Sequence, residues 1–174
     1  MAGWIRTRLT SRSKRLLERF QRETPEEIQR GMQQAVFTTS LAAQAEARAH
    51  APVFMGTLSN SIQIVPPQVA VRGGAIVMTG SVESSEPYAI VQEEGRRPGA
   101  RMPPAAPIER WVELKGRRGD LDLEGRSIRS VAYLIRRKIA RKGTPGKGFF
   151  EKARKVAERV LRREVDEALG RALR

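Results

Sequence analysis

Side chains able to do acid–base or metal chemistry are thinly spread along this sequence. The single histidine, His50, sits just ahead of Pro52 at the end of a long helical pattern. A histidine there ordinarily serves as a cap or a surface residue rather than a base or ligand. Glu93-Glu94 and Asp120 with Asp122 are carboxylate pairs. Neighbouring residues on a helix diverge, and the second pair falls in a polar, glycine-containing stretch, so neither pattern suits paired acid–base work. Ser81, Ser84 and Ser85 cluster without a nearby base or a nucleophile-elbow pattern. Gly143-Thr144-Pro145-Gly146-Lys147-Gly148 superficially resembles a phosphate loop. It lacks the G-x-x-x-x-G-K-[ST] order and follows a helix rather than a strand, so it reads as a helix stop and turn. Cysteine is absent, which excludes disulfides, zinc–thiolate sites and thiol catalysis. No catalytic, cofactor-binding or metal-ligating set emerges, and the expectation is a protein that is not an enzyme and needs no cofactor.

The elements that carry these residues follow from periodicity and punctuation. Residues 11–22 read as a short basic helix with Leu16, Leu17 and Phe20 on one side, within a basic arm over residues 1–23. Thr24-Pro25-Glu26-Glu27 is a helix start, with Thr24 as cap, Pro25 in the first turn and Glu27 at the capping-box position. Ile28, Met32, Ala35, Val36, Thr39 and Ala43 recur at helical spacing, and the helix is expected to reach about Ala49. Glu46 falls on that stripe, which suggests that this face leaves the core near the helix end. Phe37 and Leu41 lie on the other side and suggest a second contact, with another subunit as a candidate.

After Ala51-Pro52 and Gly56 the period changes to that of strands. Ser61 to Val65, extended by Gln68 to Val71 past Pro66-Pro67, pairs in this reading with Ala75 to Val82 through a turn at Gly73-Gly74. Two strands cannot stand alone, so they must pack on the long helix or join a larger sheet. A short segment from Pro87 ends at Gly95. Residues 96–126 are expected to be a mobile loop interrupted by a short helix through Ile108, Trp111, Val112 and Leu114. Ile128, Val131, Ala132, Ile135 and Ile139 form one face of a further helix, and the last helix runs from about Phe149. The fold class expected is α+β: a long N-terminal helix on a small antiparallel sheet, with C-terminal helices and extended arms. One domain over residues 24–174 follows the arm.

Charge is the strongest compositional signal. The chain has 174 residues with 33 basic and 19 acidic side chains, a formal net charge of +14. Nearly all of the excess falls after residue 95. Such asymmetry suits contact with a polyanion, since each neutralised phosphate releases condensed counterions. A solvated helix surface in an arginine-rich proteome accounts for it equally well. Neither an apolar leader at Met1 to Arg6 nor a stretch of membrane-spanning length is evident, so the expectation is a protein without membrane contact, made on the cytoplasmic side.

The segment from Ala45 to Ile62 resembles a signature of the small tail-completion or neck proteins of long-tailed double-stranded DNA phages, the phage tail-component family. Their pattern is a long helix, then "aPv-x-tG-x-L-x-x-S-I", then strands; Pro52, Gly56, Leu58, Ser61 and Ile62 fill it. Phe54-Met55 stands in place of the usual small polar pair. Tyr88-Ala89-Ile90-Val91-Gln92-Glu93-Glu94-Gly95 is similar to the family's "YA-x-x-v-E-x-G", with Gln92 where an apolar residue is usual. The stretch from Arg141 through Gly143 and Phe149 to Ala153 looks like its "r-G-t-p-x-x-x-F-x-x-a". The order of these pieces is more specific than any one of them.

The resemblance implies a virion protein at the head–tail junction, assembled in the host cytoplasm. It would form a homo-oligomeric ring, six copies being the family expectation, around the DNA channel between connector and tail tube. Its partners would be other neck, connector and tail-tube proteins. Pro52, Gly56, Leu58, Ser61, Ile62, Tyr88, Ala89, Gly95, Gly143 and Phe149 would then be determinants of the fold. Arg136, Arg137, Lys138, Arg141 and Lys142 are candidates to line the lumen against non-specific double-stranded DNA. Tail terminator and head-closure subunits are neighbouring roles. A free nucleic-acid-binding protein is suggested by charge alone, although no reading helix or aromatic stacking platform is apparent.

Overall fold

Proline at the first helical position has its φ preset and lacks an amide that the first turn would leave unbonded anyway. Helix α1, Pro25–His50, begins on such a residue in the computed structural model, which describes residues 25–53, 56–72 and 75–172. The basic arm over 1–23 and the Thr24 cap lie outside those residues. Ile28, Met32, Ala35, Thr39 and Ala43 are buried, as their spacing predicts. The face does not leave the core at Glu46. Ala47 and Ala51 are buried and carry it onward, because each i,i+4 step rotates the stripe only slightly around the helix.

A turn at Gly56, with φ of 75°, leads through the short helix α2, Thr57–Ser61, into the hairpin of β1, Ile62–Arg72, and β2, Ala75–Ser84. Leu58 and Ile62 are buried in the same apolar cluster as Val82. Ser61 Oγ donates to the Leu58 carbonyl at 2.8 Å and meets Ser84 Oγ at 2.7 Å. The start of β1 is tied to α1: Gln44 Nε2 and Arg48 Nη2 both donate to the Ile62 carbonyl, at 2.9 and 2.8 Å. The strands pair antiparallel from Ile62↔Ser84 to Val65↔Ser81, then resume at Gln68↔Thr79. Pro66 and Pro67 therefore stand opposite Gly80 alone, a bulge where two residues lacking amide donors need no ladder partner. At the same point the hairpin meets α1. A Cβ on Gly80 would come within 2.7 Å of both Ser40 Oγ and Val36 Cγ1.

The last helix, Phe149–Ala172, runs antiparallel to α1. Its N-terminal residues Phe149, Phe150, Ala153 and Ala157 join Ala43, Ala47 and Ala51, while Val165 joins Ile28, Met32 and Ala35 at the other end. Small side chains on both helices let the backbones close up: a Cβ on Gly31 would stand 3.3 Å from that of Ala168. The phenyl rings of Phe149 and Phe150, with centroids 4.6 Å apart, close the end nearest the hairpin start.

The fold is α+β, and the chain forms two compact units where the sequence suggests one domain. Among the described residues the first comprises those from Pro25 to Ala89 and from Gly148 onward; the second is Ile90–Lys147. Helix α3, Ala89–Glu94, crosses the boundary and leads into β3, Gly95–Arg96. In the second unit α4, Ala105–Arg117, packs on α5, Ile128–Lys142, with Val112 and Ala132 buried. The stretch 96–126 is thus less of a loop than its prolines and glycines imply, since thirteen of its residues are helical. β4, Thr144–Pro145, pairs with β3, and the last helix is accordingly α6. Among the described residues no helix is long and apolar enough to cross a membrane.

Gly80→Ala should lower stability by about 1–3 kcal/mol through overpacking against α1. Adding Val36→Ala should recover part of that loss, because it removes one of the two atoms met. Urea unfolding of the two variants and the parent would measure both effects.

Candidate nucleic-acid interface

Helix α5 has defined ends and one apolar side. Ser127 caps it, its side chain accepting from the Ser130 amide at 3.2 Å. Gly143, with φ of 70°, terminates it, and its amide donates to the Ile139 carbonyl. Ile128, Val131, Ala132, Ile135 and Ile139 are buried or half-buried. The helix carries six cations, Arg129, Arg136, Arg137, Lys138, Arg141 and Lys142, and no carboxylate.

Backbone pairing fixes the C-terminal end of α5. Gly95 pairs with Pro145 and Arg96 with Thr144, the Lys147 amide donates to the Gln92 carbonyl at 2.8 Å, and the Gly99 amide to that of Ala140 at 2.7 Å. Only glycine fits here. A Cβ on Gly143 would fall 2.2 Å from the Arg96 oxygen, one on Gly95 2.3 Å from the Thr144 oxygen, and one on Gly146 2.2 Å from the Glu93 oxygen. Two motif segments about fifty residues apart in sequence thus meet backbone to backbone, which their spacing did not disclose. Arg136 is half-buried, and its Nε donates to the carbonyl of buried Pro103 at 2.8 Å. It braces the 97–104 segment as well as carrying charge.

The other five cations are exposed. Among the described residues none of the six forms an ion pair with a carboxylate. Helix α6 is different. Its Arg154 is paired with Glu151 and Glu158, and its Arg163 with Glu164 and Glu167. Hydrogen bonds donated to Glu151 and Glu164 respectively raise the pKa of these two guanidinium groups, while Arg154 holds the Glu151 carboxyl below its usual range. On α6 the ion pairs engage Arg154, Lys155 and Arg163 out of seven cations, whereas α5 has no carboxylate of its own to pair with. Sequence reasoning overlooked Tyr133 and Leu134, which are 51% and 44% exposed on α5. Both fall outside the apolar stripe, and each precedes a cation by four residues, Arg137 and Lys138. The outward side of α5 therefore mixes positive charge with apolar surface.

The remaining candidates have structural engagements. His50 Nδ1 lies 3.2 Å from the Glu46 carbonyl oxygen and 3.3 Å from its carboxylate on an exposed helix end. Lys115 Nζ donates to Asp120 at 2.8 Å and holds its carboxyl below the usual range, and Asp122 accepts from the Glu124 amide. Ser81 donates to Glu83. Tyr88 and Thr57 share a hydroxyl hydrogen bond of 2.7 Å, and Ala89 and Phe149 are buried in the first unit's core. Pro52 is half-buried beside Ala51, which closes α1 by donating to the Ala47 carbonyl. Among the described residues no group of three or more His, Asp or Glu side chains is placed to hold a metal ion.

Gly143→Ala should open the pairing and speed amide exchange at Lys147 and Gly99. Gly119→Ala is the control: its φ is also positive, at 74°, but nothing lies within 4 Å of the added Cβ. The control should pay only the left-handed backbone strain of about 1–2 kcal/mol, with the Gly143 variant losing more by thermal unfolding and by exchange. No protein-family model matches the chain, and neither a curated protein nor a solved structure is significantly similar to it.

Proposed function

We propose that this protein is a structural subunit of a long-tailed phage neck, a tail-completion protein that assembles around the DNA channel between connector and tail tube. The observation carrying the reading is the α5 surface, with five exposed cations, no carboxylate on the helix and no ion pair to quench them among the described residues. Such a surface attracts a polyanion without reading its sequence, as a channel passing any genome requires. The ordered motifs support the same reading. Pro52 to Ile62 turn the chain from helix into hairpin, and Gly95 and Gly143 clasp the ends of the second unit, so these residues act as linked determinants of one architecture. The subunit's place would be the head–tail junction of the virion.

A tagged copy in producing cells, located by gold-labelled electron microscopy, tests the role. Label at the head–tail junction is the expected result; recovery on bulk nucleic acid without particles would overturn it in favour of a free nucleic-acid-binding protein. The α5 assignment has its own test. Arg137→Glu with Arg141→Glu should impair DNA retention or ejection while particles still assemble, and should lower the salt dependence of DNA binding by about 1 in log–log slope per cation removed. Unchanged retention and slope would show that α5 faces elsewhere.

A further inference from the structure

The five exposed cations of α5 do not share one side of the helix. At about 100° per residue, Arg129 and Lys138 stand on opposite flanks, about 180° apart, with Arg137 and Arg141 between them along the outer edge. Lys142 continues the Lys138 flank, and exposed Ser130 completes the edge. Tyr133 and Leu134, 51% and 44% exposed, form the two shoulders between edge and flanks. Ile128, Ala132, Ile135 and Ile139 keep the opposite, inward arc. The outward half of α5 is thus a ridge with positive charge on both slopes. A flat polyanion would touch such a ridge along one line and leave a flank unused. Two walls of negative charge would engage both.

We infer that α5 seats in the major groove of double-stranded DNA, with Arg129 on one phosphate wall and Lys138 and Lys142 on the other. The dimensions agree. A helix with its side chains is about 10–12 Å across. The B-form major groove is about 12 Å wide and about 8.5 Å deep, whereas the minor groove, at about 6 Å, is too narrow. The cations run from Arg129 to Lys142, about 20 Å of helix, so both walls are followed along the groove. On its floor Tyr133 and Leu134 have apolar surface to lay against thymine methyl groups, and Arg137 and Arg141 can donate to guanine. Both bases occur throughout any genome, so seating does not require one sequence. A lipid surface fits the ridge less well, because it needs a continuous apolar face, and here Arg137 stands between Tyr133 and Leu134. The inference deepens the α5 assignment and rests on it, since it takes DNA to be the polyanion.

The test measures binding of the full chain to DNA and RNA duplexes of equal length by fluorescence anisotropy. A-form RNA offers a comparable density of phosphate, but its major groove is too deep and narrow for side chains to read. Groove seating should favour DNA by about tenfold or more, and DNA whose major groove is filled by glucosylated hydroxymethylcytosine should bind as weakly as the RNA. Arg129→Ala and Lys138→Ala should each lower the log–log salt slope by about 1, because both flanks meet phosphate. Tyr133→Ala with Leu134→Ala should weaken binding several-fold at unchanged slope. Equal affinity for DNA, filled DNA and RNA would reduce the contact to the phosphate backbone and overturn the seating. So would a slope that responds to one flank only, a preference for anionic lipid vesicles over DNA, or no duplex binding at all. The comparison of duplexes on the parent stands even if a variant folds poorly. Gold label at the neck with equal affinities would remove the groove seating alone. A strong preference for open-grooved DNA without neck label would remove the neck role alone.

Discussion

Close approach to helix α1 is the constraint on which the first unit depends. The helix can be shared between a hairpin on one side and α6 on another only because the contacting residues are small. Ala35, Ala43 and Ala47 face α6, where Ala153, Ala157 and Ala168 are equally slight. Towards the hairpin the corresponding residue is Gly80, pressed against Val36 and Ser40. Larger side chains, Leu58, Ile62, Val82 and Phe149, fill the space where these three layers diverge. Apolar burial contributes about 25 cal/mol per Å², so a core of small residues relies on tight fit over a long contact rather than on a few bulky anchors.

Much of this was legible in the sequence. The helix start at Pro25, the α1 stripe, the hairpin with its interruption at Pro66-Pro67 and the apolar face of α5 all follow from period and punctuation, which are local properties. What escaped was non-local. The continuation of the stripe past Glu46 depends on α6 arriving at Ala47 and Ala51. The pairing of Gly95 with Pro145 joins residues fifty positions apart, and two-residue strands leave no alternation to detect. The helix within 96–126 was recognised only in its middle, since Ala105 and Pro107 look like loop until the proline is seen to occupy the first turn, where it costs no hydrogen bond. On the candidate interface the cations could be read directly. Their lack of ion pairs could not, because pairing depends on which carboxylates the fold brings near, as it does for Arg154 and Arg163 on α6.

The contrast between α5 and α6 bears on how charge should be weighed. Both contribute to the basic excess of the C-terminal half. In α6 Arg154 and Arg163 sit three or four residues from glutamates, the spacing at which side chains meet. Exposed pairs of this kind add little stability, but they limit the field that reaches solvent. In α5 no such spacing exists, and the one arginine that is partly withdrawn, Arg136, donates to a neutral carbonyl rather than to a carboxylate. Composition alone therefore overstates the number of residues that can meet a polyanion.

The second unit enters and leaves the chain at a single point. Gln92 and Lys147 are hydrogen-bonded neighbours, although fifty-five positions separate them, and Gly95 lies against Thr144 and Gly146. A segment whose two ends touch can be viewed as a cassette spliced into a host fold. The host loses no contact of its own if the cassette grows, shrinks or is exchanged, provided the glycines at the splice remain. Lengthening a flexible loop costs only about 0.6 kcal/mol per doubling. Changes of length or composition between Arg97 and Lys142 would then leave the α1–hairpin–α6 frame intact.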